Sequence, residues 1–340
     1  MRFAALANRF GARFRHRIVA MDGVVACRER LDPSLDVSFV DAPVSYGDTL
    51  GSLRRYRALL RDTRPDVLLT YNWGAIEWVM ANRFPVRARH VHVEDGFGPE
   101  ERTRQIPRRV WTRRVVLRGR TVVLPSQTLV RIATGEWRLD PRRIRFIPNG
   151  VDLQRFHPAP RPPGPCVVGT VAALRPEKNV GRLLRAFAGA GDPEARLVVV
   201  GDGPERTALE ALARQLNMAD RVTFTGALAD PAPLYRSFDV FALSSDTEQQ
   251  PLSLLEAMAS GCAVAATDVG DVRAMLPDAG RAMVSRTDEA DLAQRLILLT
   301  RDAGLREALG AANRAHAEAH YGAARMEAAW AAVFAGASAP

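Results

Sequence analysis

Apolar residues along this chain gather in short runs, separated by longer stretches with helical spacing. The runs HRIVAM (16–21), DVSFV (36–40), DVLLTY (66–71), RHVHVE (89–94), TVVLP (121–125) and RIRFIP (143–148) read as strands. Beyond residue 165 the pattern restarts with CVVGTV, RLVVVG, RVTFTG, VFALS and CAVAATD. Amphipathic stretches such as TLGSLRRYRALLRD lie between them. Strands apolar on both faces and joined by helices predict parallel sheets, covered on each side. Between the two series lies FHPAPRPPGP, residues 156–165, half of it proline. The expected layout is therefore a first α/β domain over 1–157, a linker over 158–165 and a second domain over 166–320. A C-terminal helix over 321–340 would cross back to the first domain. Ligands of such sheets bind beyond the carboxyl ends of the strands. The opening MRFAALANRF has Phe3, Leu6, Ala7 and Phe10 on one helical face, where a doubly wound half normally begins with a strand and a tight glycine loop.

Composition narrows the class. At 340 residues the chain is long enough for two cores, and no apolar run approaches the roughly 20 residues of a membrane-spanning helix. Cys27, Cys166 and Cys262 stand singly, without metal-ligand spacing, as in a reduced cytoplasmic protein. Charge is uneven: residues 1–160 hold 29 basic and 16 acidic side chains, and residues 161–340 hold 18 and 22. The first half is thus expected to face something anionic. Its densest stretch, residues 101–120, carries eight arginines around Trp111. That mixture suits an anionic membrane surface, or a plain solvated helix face. No nucleic-acid-binding motif accompanies it.

The most informative segment is SSDTEQQPLSLLEAMASG. Leu252, Leu254, Leu255, Ala257 and Met258 predict a buried helix, with Pro251 in its first turn and Gly261 at its stop. Glu248 then precedes the helix and Glu256 lies inside it. Between them the helix N-terminus offers a site for phosphate, so the two carboxylates could accept polyol hydroxyls on either side of it. Ribose, diphosphate and sugar have that layout. A glutamate early in a helix also serves capping alone.

Three further segments bear on the same chemistry. GTVAALRPEKN (169–179) runs from a strand into a loop with Arg175 and Lys178, the one lysine among 47 basic residues. A compact charge of this kind suits phosphate, though a lone lysine can also be a chance surface residue. VVVGDGPERTALEAL offers Gly201 and Gly203 but has Arg206 where a dinucleotide fingerprint has glycine, which weakens a dehydrogenase reading. HVHVEDGFGPEE places His90, His92, Glu94 and Asp95 at a strand end, where an acid or base would protrude or a structural cluster would sit.

Taken together, RFIPNGVDLQRF, GTVAALRPEKN, VVVGDGPE, RVTFTG and TEQQPLSLLEAMASGCAVAATDVGD resemble the family 4 retaining glycosyltransferases. The resemblance implies the GT-B fold, two Rossmann-like doubly wound parallel-sheet domains facing a cleft. It also implies transfer of a sugar from a nucleotide-sugar donor to a glycan or lipid-linked acceptor, as in bacterial cell-surface polysaccharide or lipopolysaccharide synthesis. By it, Glu256 would hold the donor ribose and Glu248 the transferred sugar. The backbone from Gln249 through Gln250 and Pro251 to Leu252 would line sugar and diphosphate. Lys178 and Arg175 would neutralise the diphosphate, Gly169, Gly201 and Gly203 would shape the donor site, and Asn149 and Gly150 would lie near the hinge. Asp95 and His92 would supply the first-domain catalytic group. The chain departs from the family at Gln249, where glycine is usual, at Ala173, where a phosphate-binding arginine is usual, and at Asp95, where histidine is usual. MRFAALANRF corresponds to the helix that follows the family's first strand and glycine loop, so Met1 is expected to be an internal methionine and the first sheet to lack a strand. No Asp-x-Asp pair is present, so no metal or other cofactor is expected. A peripheral place on the inner membrane face would fit the charge. The same architecture serves sugar-nucleotide epimerases, and a non-catalytic nucleotide-sugar-binding protein would share the donor site.

Overall fold

A computed structural model describes residues 2–41, 48–83, 87–101, 104–161 and 163–336. Met1, Arg102 of the basic stretch, Pro162 of the proline-rich stretch and the last four residues of the expected C-terminal helix lie outside the described residues. The chain divides into two compact units, residues 1–147 with 327–340, and residues 148–326.

The first unit contains α1 (Arg2–Phe10), β1 (His16–Ile18), β2 (Val37–Phe39), α2 (Thr49–Thr63), β3 (Val67–Tyr71), α3 (Ile76–Ala81), β4 (Arg89–Val93), α4 (Pro107–Val116), β5 (Thr121–Leu124), α5 (Gln127–Gly135) and β6 (Ile144–Phe146). Its strands form two parallel sheets, β1–β2 and β3–β4–β5–β6, and no ladder joins the two among the described residues. α1 buries Ala4, Leu6, Ala7 and Phe10, the face its spacing predicts, with Phe3 half-buried. Ser126 starts α5 by accepting a hydrogen bond from the Leu129 amide at 3.0 Å, the side-chain cap that satisfies a free helix N–H.

The second unit runs β7 (Val167–Val171), α6 (Val180–Ala190), β8 (Arg196–Val200), α7 (Arg206–Gln215), β9 (Val222–Gly226), α8 (Ala232–Ser237), β10 (Val240–Leu243), α9 (Leu252–Ala259), β11 (Ala263–Thr267), α10 (Val272–Met275), β12 (Val284–Ser285), α11 (Glu289–Arg301), α12 (Ala303–His320) and the start of α13 (Ala323–Ala335). All six strands are parallel, in the order β12–β11–β10–β7–β8–β9. Every residue of β10 and β11 is buried, as continuous apolar runs require when helices cover both faces. β12 has two residues and no apolar run of its own, and pattern reading passes over it. The chain leaves β7 toward β8 on one side and returns through β10 on the other. The carboxyl ends of β7 and β10 therefore flank the topological switch point.

The expected boundary at 157 differs from the division at Ile147 and Pro148. The reason is packing. The Val151 amide donates to the Tyr321 carbonyl at 2.8 Å, and Phe156 lies edge-on to Tyr235. Residues 148–157 thus belong to the second unit, and the proline-rich stretch runs within it.

Candidate functional site

Thr170, Val171 and Ala172 from the end of β7 and Leu243, Ser244 and Ser245 from the end of β10 line a pocket with Lys178, Glu248 and Ser253. Two loops build it. The first, after β7, is held by the turn after β8: the Leu174 amide donates to the Asp202 carbonyl at 2.9 Å, and the Glu205 amide to the Leu174 carbonyl at 3.0 Å. Gly201 permits this approach, because it sits at φ +139° and a Cβ there would collide with the Ala172 carbonyl oxygen. A Cβ on Gly203 would meet the Leu174 carbonyl in the same way. Lys178 ends a single 3-10 turn, after which Asn179 caps α6 through its side chain.

The second loop runs from Ser244 to Pro251. Arg182 of α6 donates to the Ser244 carbonyl at 2.9 Å and pairs with Asp246 at 2.7 Å. The Asp246 amide donates to the Glu177 carbonyl at 2.9 Å, and the Ser244 hydroxyl to the Lys178 carbonyl at 3.1 Å. Stitched together in this way, the loops bring Lys178 Nζ to 2.5 Å from Glu248 Oε1, which also accepts from the Ser245 hydroxyl at 2.8 Å. Gly270 lies against the backbone at Glu248, where any Cβ would strike the Glu248 carbonyl oxygen, and the Asp271 amide donates to the Gln249 carbonyl at 3.0 Å. Gln250 is tied to Asn149 twice, its side-chain oxygen accepting from the Asn149 amide at 2.5 Å and its carbonyl from the Asn149 side chain at 3.0 Å.

Helix α9 leaves this loop. Pro251 was expected inside its first turn and instead precedes it, with ψ 124°, an extended setting that starts the helix at Leu252. Gly261 follows the helix at φ +70°, the left-handed stop that glycine tolerates. Glu256 lies in α9, half-buried, and its Oε2 accepts a hydrogen bond from the Tyr235 hydroxyl at 2.8 Å. Burial pushes the Glu256 carboxyl above its ordinary range, while the Tyr235 hydrogen bond and the Arg155 charge act in the opposite sense and Asp230 adds to the rise.

The fold thus brings Lys178 and Glu248 into contact and sets Glu256 on the helix that follows. Other expected site residues take different places. Gly169 lies within β7, where a Cβ would run into the Phe238 ring, so its smallness serves sheet–helix packing rather than a ligand. Asn149 and the Gln250 side chain are buried against each other and brace the loop from behind. Gly201 and Gly203 shape the pocket by holding its first loop. Arg175 is exposed within that loop, just before the 3-10 turn that ends at Lys178. Pattern reading missed Tyr235, Ser245, Arg182, Asp246 and Gly270. All but Ser245, which bonds Glu248 three residues on, act through a partner far away in sequence or through a backbone clash, and no spacing rule singles any of them out. The aspartate in SSDTE, beside the glutamate, was the nearest available signal.

In the first unit the HVHVEDG segment turns inward. His92 is wholly buried, with Thr70 Oγ1 2.9 Å from its Nδ1 and Glu94 Oε2 3.7 Å from its Nε2. That placement corrects the expectation of His92 as a protruding base: its ring lies in the core between Thr70 of β3 and Glu94, just beyond β4. The same Thr70 hydroxyl reaches His90 Nε2 at 2.9 Å, and burial, aided by the neighbouring His92 and Arg120, lowers His90 to about 3. Arg113 of α4 is buried, donating to Glu94 at 3.2 Å and as a fork to both oxygens of Glu101 at 3.2 Å. Asp95 is half-buried, and its backbone amide donates to Asn72 Oδ1 at 2.7 Å. Among the described residues no cluster of three or more His, Cys, Asp or Glu is arranged to hold a metal ion, and no helix is long and apolar enough to cross a membrane.

Two family models match the chain, and they meet at residues 154–155, a few residues beyond the division at Ile147 and Pro148. The family model for glycosyl transferases group 1 matches residues 154–316, and that for Glycosyltransferase Family 4 matches residues 2–155. A D-inositol 3-phosphate glycosyltransferase of Stackebrandtia nassauensis is 30% identical over 288 residues, 74% of this chain. The match spans 64% of that relative's length, under two thirds of it. A GDP-mannose-dependent alpha-mannosyltransferase of Mycobacterium tuberculosis is 37% identical over 145 residues, 39% of this chain and 36% of its own. The crystal structure of Anabaena Alr3699/HepE in complex with UDP superposes with a TM-score of 0.81 at 17% identity, covering 98% of this chain and 95% of that one.

Proposed function

Because the chain belongs to glycosyltransferase family 4 and has the GT-B fold, we propose that it moves a sugar from a nucleotide-sugar donor, with retention, to a glycan or lipid-linked acceptor. The observation that carries this reading is the meeting of Lys178 and Glu248 at the switch point, with Glu256 anchored on the helix leaving the same loop. In this reading the Glu256 carboxylate accepts hydroxyls of the donor ribose and Glu248 those of the transferred sugar. The loop backbone from Gln249 to Leu252 faces the diphosphate. A nucleoside diphosphate gathers negative charge as it departs, and Lys178, the N-terminus of α9 and Arg175 are the cationic groups nearest to oppose it. The acceptor hydroxyl attacks the anomeric carbon from the face the leaving group vacates. Its proton passes to a departing phosphate oxygen, so neither an enzymic nucleophile nor a metal is required. Asp95, at the end of β4, is the remaining candidate for orienting the acceptor.

A role in cell-surface polysaccharide assembly, at the inner face of the membrane, is supported by charge. Helix α4 exposes Trp111 and Val115 among arginines, a composition suited to an anionic headgroup layer. Co-sedimentation with anionic vesicles should fall several-fold in Trp111→Ser, through the apolar area that the indole would bury at the interface; equal binding by the two proteins would remove this part.

The catalytic proposal is tested by incubating the protein with UDP-, GDP- and ADP-sugars, with and without glycan or lipid-linked acceptors. Nucleoside diphosphate release and the anomer formed would both be followed. Acceptor-dependent release with retained configuration is expected, lost in Lys178→Ala and Glu256→Ala. Turnover unchanged in both variants would sink the assignment. A donor isomerised in the absence of acceptor would favour an epimerase instead.

A further inference from the structure

Tyr235 belongs to no motif, yet its side chain is firmly held beside Glu256. It is completely buried in α8. Its ring lies edge-on to Phe156 at 5.6 Å and Phe238 at 5.7 Å, and tilted against Phe241 at 5.9 Å. The Cys262 thiol donates to its backbone carbonyl at 3.3 Å, tying the end of α8 to the segment that enters β11. A ring caged on three sides by aromatic residues has no room to swing, so its hydroxyl stands at a fixed point. From that point it donates to Glu256 Oε2 at 2.8 Å. Among the described residues Oε1 takes no hydrogen bond, and is left for an outside donor.

We propose that Tyr235 is a positioning residue for the donor site: it locks the Glu256 carboxylate in one orientation, with Oε1 presented to the vicinal hydroxyls of a nucleotide ribose. The inference rests on the reading of Glu256 as the ribose-binding group. It adds the residue that gives that carboxylate its aim and its charge. A vicinal diol offers two O–H donors and needs an ionised acceptor of fixed direction. Burial works against ionisation here, and the phenol works for it, because a hydrogen bond to the charged form favours that form. The other charged groups facing Glu256 are Arg155 and Asp230, which are paired with each other at 2.8 Å and act in opposite senses. Removing the phenol oxygen would leave the carboxylate both freer to turn and harder to ionise.

The sign of the pH effect follows. Ribose binding needs the carboxylate, so affinity falls as pH drops through the raised Glu256 value. Loss of the Tyr235 hydrogen bond raises that value further and moves the acid limb to higher pH. A purely structural tyrosine would weaken binding without moving the limb.

The test is calorimetric titration of the full chain with UDP, GDP and ADP and with their 2′-deoxy counterparts, as a function of pH. Wild type, Tyr235→Phe and Glu256→Gln would be compared, with thermal melting to establish that each is folded. For the best-bound base, Tyr235→Phe should lose roughly tenfold or more in affinity for the ribonucleotide, the scale of a hydrogen bond to a charged group. It should lose much less for the deoxy form, and its acid limb should shift upward. Glu256→Gln should show little ribose preference and no acid limb in this range. If Tyr235→Phe keeps both the ribose preference and the limb of wild type, the positioning role is overturned while the donor site stands. If wild type binds none of the three diphosphates, or Glu256→Gln binds as wild type does, the donor-site reading itself fails and this inference falls with it. Should Tyr235→Phe melt below wild type, the titrations are run below its transition, where the same two readouts, ribose preference and position of the acid limb, decide.

Discussion

The charge cluster of the first unit and the pocket of the second use the same kinds of side chain and differ in how much water they keep. Arg113 is fully buried between Glu94 and Glu101, with its guanidinium 5.1 Å from the Trp73 ring, 5.3 Å from Phe97 and 5.1 Å from Trp137. Burial opposes ionisation of Glu101, yet the hydrogen bonds from Arg113, the Ile106 amide and Arg109 hold its carboxyl below the usual range. Arg113 and Glu101 find all their partners within the protein, and Glu94 gives one oxygen to Arg113 while its other oxygen is buried without a hydrogen bond. Lys178 and Glu248 also touch, but their side chains remain 26% and 11% exposed. A partly open lysine can exchange one anionic partner for another at little cost, whereas a sealed guanidinium cannot. Sealed charge fixes a segment, and half-open charge can act on something that arrives.

Breaking the sealed cluster should have the largest effect. Arg113→Ala strips the buried Glu94 carboxylate of its cation and leaves Glu101 with Arg109 and the Ile106 amide alone, and should destabilise the protein by about 3–5 kcal/mol in urea unfolding. A loss below about 1 kcal/mol would place Arg113 with ordinary surface pairs and undo the contrast. At the open pair the expected cost is in rate. Lys178→Ala should lower turnover by roughly 10²–10³-fold, the range for one preorganised donor to a developing anion, with little change in melting temperature. Lys178→Arg should recover only part of it, since a planar fork does not fit where a compact ammonium lies 2.5 Å from its partner. A melting temperature that collapses in Lys178→Ala would make this pair structural too.

Asn149 sharpens the contrast from inside the second unit. Asn149→Ala removes one of two bonds to Gln250 and should cost about 1–3 kcal/mol, the price of a buried polar group left unpaired. Stability should suffer more than donor affinity in titration; the reverse would return Asn149 to the ligand-contacting set. At neutral pH the smallest effect, nil, is that of His90 titration, which acts only in acid. Its folded value near 3 lies below the ordinary 6.5, so the unfolded chain takes up the proton first. Its contribution to stability is complete above about pH 6.5 and is lost as pH falls toward 3. The slope of melting temperature against pH in that window should be shallower in His90→Asn, and an unchanged slope would exclude His90 as a source of acid sensitivity.

Much of this was legible in residue order. Alternating apolar runs gave every strand but β12, and the spacing from Glu248 to Glu256 across Pro251 located the loop and helix of the pocket. The lone Lys178 stood out against 46 arginines and does meet Glu248. These signals survive in sequence because they are local: strand and helix periods, a proline start, a glycine stop. HVHVEDG carried equally suggestive residue types and was misleading for His92, because β4 is covered on both faces. Composition alone does not report which face is sealed.

Sequence by itself therefore determined the two series of parallel strands, the helix after Glu248 and the residues able to carry charge at its ends. Tertiary structure decided which of those charges were sealed and which stayed open. It also decided that Asn149 braces Gln250, that Gly169 yields to Phe238, and that Tyr235, 21 positions before Glu256, holds its carboxylate. The physical reason is common to all of them. A hydrogen bond or a steric fit between distant positions depends on where the sheet order places two strands, and neither partner's neighbours in sequence need carry any trace of it.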